Sequence, residues 1–275
     1  MACPGRPVHT LDRPEYRPPP KTRLRHGRDT RRTASDAITA ALELIDLKAW
    51  YGQTAVLHGI DLRVDRGEVV ALIGPGGCGR TSVLRAVLGL THTRRGSIRI
   101  DGAQTIDLPP RRISELGVGY CRFRNSIFGN LSCEENLLLP PPAGGALGGG
   151  MSLSDIYAHF TCLEERRHVA ASRLSPDHQQ LLAMGRILRT GADLLLLDDV
   201  AKGVAQSVAE ALCSMIRTLK ARGYTIVLAE AARNFCEGLA DRFYAMDQGR
   251  IVHTADASAA AAIAAERVTA GQDSA

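Results

Sequence analysis

The 275-residue sequence has no uninterrupted run of about 18 apolar residues, so it contains no segment of the kind that crosses a bilayer as a helix. Its first 33 residues have no apolar middle and do not read as a secretion signal. Seven cysteines (3, 78, 121, 133, 162, 213 and 236) are odd in number, scattered and never spaced C-x-x-C. That pattern argues against a disulfide framework and a zinc site, and a reducing cytoplasm suits it. Aromatic residues are only 4% of the chain. Outside the start neither sign of charge is in excess: residues 1–35 hold nine of the basic residues and three of the acids, leaving 25 basic and 26 acidic residues for the rest. A nucleic-acid face on the folded body is therefore not indicated, and the Pro- and Arg-rich residues 1–38 read as a disordered tail open to non-specific contact with anionic lipid or RNA.

The stretch around which the remainder is arranged is Val69-Val70-Ala71-Leu72-Ile73, followed by Gly74-Pro75-Gly76-Gly77-Cys78-Gly79-Arg80-Thr81-Ser82 and then an apolar helix pattern to Leu88. It reads as strand, phosphate loop and helix. Successive glycine N–H groups can curl around an oxyanion, and the helix N-terminus adds partial positive charge. Two motifs overlap there. Gly74, Gly79, Arg80 and Thr81 fit G-x-x-x-x-G-K-[ST] with Arg in place of Lys, while Gly74, Gly76 and Gly79 fit the dinucleotide pattern with Asp101 placed for a ribose contact.

Around this loop the chain alternates strand and helix patterns. Residues 42–52 and 55–64 alternate apolar and polar side chains as half-buried antiparallel strands do. Residues 93–96 are expected as a turn before a short strand at 97–102, and 117–121 as another strand. Ser132 with Glu135 predicts a capping box, and residues 140–150, PPPAGGALGGG, a flexible connector. Ser175, Pro176 and Asp177 mark a helix start. Four leucines, 194–197, run into Asp198-Asp199; such a strand is either capped by a turn or carries an acid for Mg²⁺. A helix over 205–222, a strand over 225–229, a further helix and the strand pair 242–246 and 250–252 follow, with an alanine-rich helix from 255 to about 267.

In order and wording these pieces resemble the ATP-binding subunits of ABC transporters over residues 42–252. The text is most similar to the branched-chain amino acid importer branch at Gly117-Val118-Gly119-Tyr120, Ile127-Phe128, Glu134-Glu135-Asn136-Leu137, Gln179-Gln180-Leu181-Leu182-Ala183-Met184-Gly185-Arg186 and Leu194 to Asp198. The resemblance implies an α/β fold of the P-loop NTPase class, with an antiparallel β subdomain and a helical subdomain over about 128–189, inside an ATP-binding domain spanning 39–254 and followed by an Ala-rich segment, 255–275. It implies ATP and Mg²⁺ as ligands, a second ATP-binding subunit, membrane permeases as partners, and a place at the inner face of the membrane through them.

Carried onto this chain, the resemblance puts adenine against Tyr51, which as a strand aromatic could equally pack in the core, and phosphates in the loop from Gly74 through Pro75, Gly76, Gly77, Cys78, Gly79, Arg80 and Thr81 to Ser82. Mg²⁺ falls to Thr81 and Asp198, the water-activating carboxylate to Asp199, and the partner's phosphate to Ser175. Several positions depart from the family. Arg80 replaces a lysine, Phe123 a glutamine, Asp199 a glutamate, Ala231 a histidine or glutamine, and Pro176-Asp177 two glycines. Arg80 keeps the charge on a larger planar fork, Asp199 is a methylene shorter, Phe123 and Ala231 offer no polar contact, Pro176 lacks an N–H and Asp177 sets a carboxylate near the partner's phosphate. A non-hydrolysing scaffold or regulatory module is therefore the alternative expectation.

Overall fold

The computed structural model describes residues 40–122, 126–139, 149–231 and 233–257. The expected tail, Phe123, most of the connector and the alanine-rich segment from 258 on lie outside them.

Two sheets form. In the first, β1 (Ala40–Tyr51) pairs antiparallel with β2 (Thr54–Asp65) on one side and β4 (Thr93–Ile100) on the other, with the two-residue β5 (Ala103–Gln104) at the edge. In the second, β3 (Val69–Ile73), β8 (Thr225–Glu230), β7 (Leu194–Asp198), β6 (Val118–Arg122) and β9 (Arg242–Asp247) run parallel, and β10 (Arg250–Asp256) closes one edge antiparallel to β9. The period-two rule places the core. Val70 and Leu72 of β3 face one apolar cluster with Leu44, Leu57, Leu84 and Leu196, while Val69 and Ala71 face another with Leu182, Leu195, Leu212 and Ile226. Because both faces of the central sheet are covered, its strands are continuous apolar runs rather than alternating ones.

The helices follow their local signals. Ser132 caps α3 (Cys133–Leu138) in a reciprocal capping box with Glu135. Ser175 caps α6 (Pro176–Arg189), accepting from the His178 N–H, with Pro176 at the first position. Between them lie α4 (Leu153–His159) and α5 (Thr161–Glu165), so the helical subdomain is built mostly from short pieces packed on α6. The remaining helices are α1 (Arg80–Val87), α2 (Pro110–Ser114) and α7 (Gln206–Ala221).

Three expectations are corrected. Residues 93–96 are not a turn but the start of β4: Asp46 and Leu47 of β1 bulge opposite Gly96, and a Cβ on Gly96 would collide with the Asp46 carbonyl oxygen. The glycine there marks a bulge within a strand rather than a chain reversal. Second, the helix expected between β8 and β9 is, among the described residues, one 3₁₀ turn at Arg233–Phe235, closed by a Cys236 N–H to Arg233 C=O bond and followed by Gly238 in the left-handed region. Third, Ala255 and Asp256 belong to β10, opposite Phe243 and Arg242, and not to the helix expected from 255.

Candidate nucleotide site

The loop from Gly74 to Gly79 leaves the end of β3 and enters α1 with Gly79 in the left-handed region and no side-chain cap on the helix. A Cβ on Gly74 would collide with the Met246 carbonyl oxygen and the Cys78 sulfur, whereas Gly76 and Gly77 face open space. The loop is thus pinned beneath and free above. Its outer wall is tied to distant segments: the Gly249 N–H donates to the Cys78 carbonyl at 2.8 Å and the His58 N–H to the Gly249 carbonyl at 3.0 Å. Above it opens a cavity of about 480 Å³ walled by residues 75–82 of the loop and α1, Val56 and His58 of β2, Asp199, Lys202, Ala231 and Gln248.

Parallel pairing of β6, β7 and β8 brings Asp198 to this loop. Asp198 is buried, yet both carboxylate oxygens are held: the Thr81 hydroxyl donates to Oδ1 at 2.8 Å and the Tyr120 hydroxyl to Oδ2 at 2.8 Å. Burial, reinforced by the Asp198 charge, pushes the Tyr120 hydroxyl well above its ordinary range, which keeps it a donor. Asp199 follows in a left-handed conformation, its N–H bound to the Ala229 carbonyl at 2.8 Å.

The substituted residues meet each other. The Arg80 guanidinium folds back across the loop, donating to the Gly74 carbonyl and forming an ion pair with Asp199 at 3.2 Å. The two side chains are 7% and 22% exposed, so the pair is mostly shielded from water. Beneath it lies Glu230, the last residue of β8, which accepts the Ala201 N–H at 3.2 Å. Burial first, and then the Asp199 charge, push the Glu230 carboxyl up to about 7, against the pull of the backbone N–H groups and Arg80.

The residues present suit a polyphosphate. The glycine cradle is open and the N-terminus of α1 points into it. Thr81 and Asp198, 2.8 Å apart, form an oxygen donor set suited to a hard divalent cation.

Of the expected site residues, Pro75 through Ser82 and Asp199 line the cavity, and Gly74 and Asp198 support it from below. Ala231 lines it too, where its methyl group offers no polar contact. Tyr51 and Ser175 do not line it. The Tyr51 ring lies under the Arg85 guanidinium, 5.3 Å from its centroid. Ser175 caps α6, while its neighbour Asp177 accepts the Ala205 N–H at 3.2 Å and so ties α6 to the start of α7. Asp101, on which the dinucleotide alternative relied, sits in the β4–β5 turn paired with Arg66 at 2.7 Å and is absent from the cavity wall. Sequence reasoning missed His58, Lys202 and Glu230. Lys202 could have been noticed as a cation three residues past Asp199 in the same turn, and Glu230 as a charge ending an otherwise apolar central strand.

Comparison with known proteins identifies the family. The family model described as ABC transporter matches residues 57–202. The chain is 33% identical over 214 residues to the high-affinity branched-chain amino acid transport ATP-binding protein BraG of Pseudomonas aeruginosa, covering 75% of this chain and 88% of that protein. It is 29% identical over 215 residues to the glutamine transport ATP-binding protein GlnQ of Escherichia coli, covering 76% of this chain and 89% of the other. Its fold matches the crystal structure of a nucleotide-free ATP-binding cassette from an ABC transporter with a TM-score of 0.68 and 21% identity, over 79% of this chain and 91% of that one. No helix among the described residues is long and apolar enough to cross a membrane. The chain belongs to the ABC transporter family, as one of its ATP-binding cassettes.

Proposed function

We propose that this chain is the ATP-binding subunit of an importer, taking up branched-chain amino acids, and that it works at the inner face of the membrane with a second ATP-binding subunit and permease partners. The observation that carries nucleotide binding is the 2.8 Å bond between Thr81 and Asp198 at the foot of an open glycine cradle. The substrate assignment draws on the likeness to BraG and on the resemblance of the sequence to the branched-chain branch, and the likeness to GlnQ leaves other amino acids as competitors. In this reading the loop N–H groups hold the phosphates, and Thr81 and Asp198 hold Mg²⁺, which supplies charge neutralisation at the transferred phosphoryl group. Asp199 accepts a proton from water only after leaving Arg80.

That last requirement favours a second reading, a cassette that binds ATP and turns it over slowly or not at all. Arg80 and Asp199 are committed to each other, Ala231 offers no polar group, and Pro176 lacks the N–H that a glycine would present. Steady-state ATPase activity of the chain, alone and with its partner subunit, separates the two. Turnover abolished by Asp198→Ala supports a transport ATPase. Tight ATP binding without turnover, partly restored by Arg80→Lys with Asp199→Glu, supports the non-hydrolysing module. Absence of ATP binding would refute both.

A further inference from the structure

Arg80 stands where a phosphate-binding lysine is expected, yet its donors are largely spent inside the protein. Nη1 serves the Gly74 and Pro75 carbonyls, Nη2 serves Asp199, and the side chain is 7% exposed. Lys202 is differently placed. It lines the same cavity, its side chain is 65% exposed, and its ammonium lies 4.0 Å from Asp199 Oδ2, beyond hydrogen-bond distance. The turn that positions it is closed by its own N–H on the Asp199 carbonyl at 3.1 Å. Asp199 therefore sits between two cations, one buried and bonded and one loosely held at the cavity wall. Moving the loose one costs little, since an exposed pair at that distance contributes little.

We propose that Lys202 is the cation that meets the terminal phosphates of the bound nucleotide, doing from the turn after β7 what the phosphate-loop side chain does not do here. An ammonium on a flexible four-carbon stem suits a phosphate chain as a compact charge, whereas a fork already engaged by a carboxylate and two carbonyls does not. The inference rests on the nucleotide-binding reading, and its test is arranged to fail separately from it.

The test is calorimetric titration of the full chain with ATP and with AMP, for wild type, Lys202→Ala and Lys202→Arg. Lys202→Ala should lose about tenfold in ATP affinity, which is about 1.4 kcal/mol, with AMP affinity changed less than about twofold, because AMP lacks the outer phosphates. Lys202→Arg should recover most of the loss. The side chain is exposed, so an unchanged thermal melt is expected. Wild type binding ATP while Lys202→Ala binds it equally well, or loses ATP and AMP in the same proportion, would overturn the assignment of Lys202 alone. Wild type binding no ATP would overturn the nucleotide reading, and the assignment with it.

Discussion

Replacing Asp199 by alanine should destabilise the fold, although the residue lies on a cavity wall. The change removes the charged partner of a guanidinium that is 7% exposed and 3.2 Å away. Stripping one member from a buried pair costs about 3–5 kcal/mol. Here the Gly74 and Pro75 carbonyls continue to accept from Arg80, so a loss of about 2 kcal/mol is expected. With a urea m-value of about 2–3 kcal/mol/M for a chain of this size, the midpoint should fall by about 0.7–1 M. Asp199→Asn, which keeps an acceptor, should lose about half as much. Urea unfolding followed by circular dichroism measures all of these. In an Arg80→Lys background, where the fork is absent, the cost of Asp199→Ala should shrink by more than about 1 kcal/mol. An unchanged midpoint in Asp199→Ala, or the same loss in both backgrounds, would refute the pairing as a source of stability.

Glu230 gives the fold a pH dependence. The native carboxyl, pushed up to about 7 from an ordinary 4.5, keeps its proton where the unfolded one has released it. The native state therefore holds the extra proton between those values, and stability falls as pH rises across that window, by about 3 kcal/mol in all. Glu230→Gln should flatten the curve and exceed wild type in stability at pH 8, as measured by urea midpoints from pH 4.5 to 8; parallel curves for the two proteins would contradict this. Tyr120→Phe removes one of the two hydroxyl donors to Asp198 and should cost about 1–2 kcal/mol in stability. It should also weaken Mg²⁺ binding in the nucleotide complex, measured by Mg²⁺ titration, and an unchanged Mg²⁺ affinity would show that Tyr120 does not orient the carboxylate.

Much of the fold was legible because strong signals agreed with one another. The strand, glycine loop and helix of 69–88, the Ser132 and Ser175 caps and the leucine run into Asp198 each formed where local chemistry pointed. The errors came where a residue had two uses. Gly96 carries the same letter in a turn and in a bulge, and only the approach of the Asp46 backbone decides between them. The site was legible by position but not by orientation. Arg80 and Asp199 are 119 residues apart, and no spacing rule foretells that one substitution would grip the other. Glu230 and Lys202 carry a sequence signal, but their roles do not, since those depend on which strand ends lie side by side.

The ties from Gly249 to Cys78 and to His58 bear on the order in which the protein is made. The phosphate loop is synthesised early, but the turn that braces its outer wall lies between β9 and β10, the last two strands among the described residues. On the ribosome the loop must wait, unbraced, until β9 has emerged and Gly249 can reach it. A nascent chain ending before that turn carries the complete Gly74–Ser82 motif without the wall that shapes it. On the proposed nucleotide-binding reading, a truncated copy that retains the motif but ends before Gly249 is expected to bind ATP poorly.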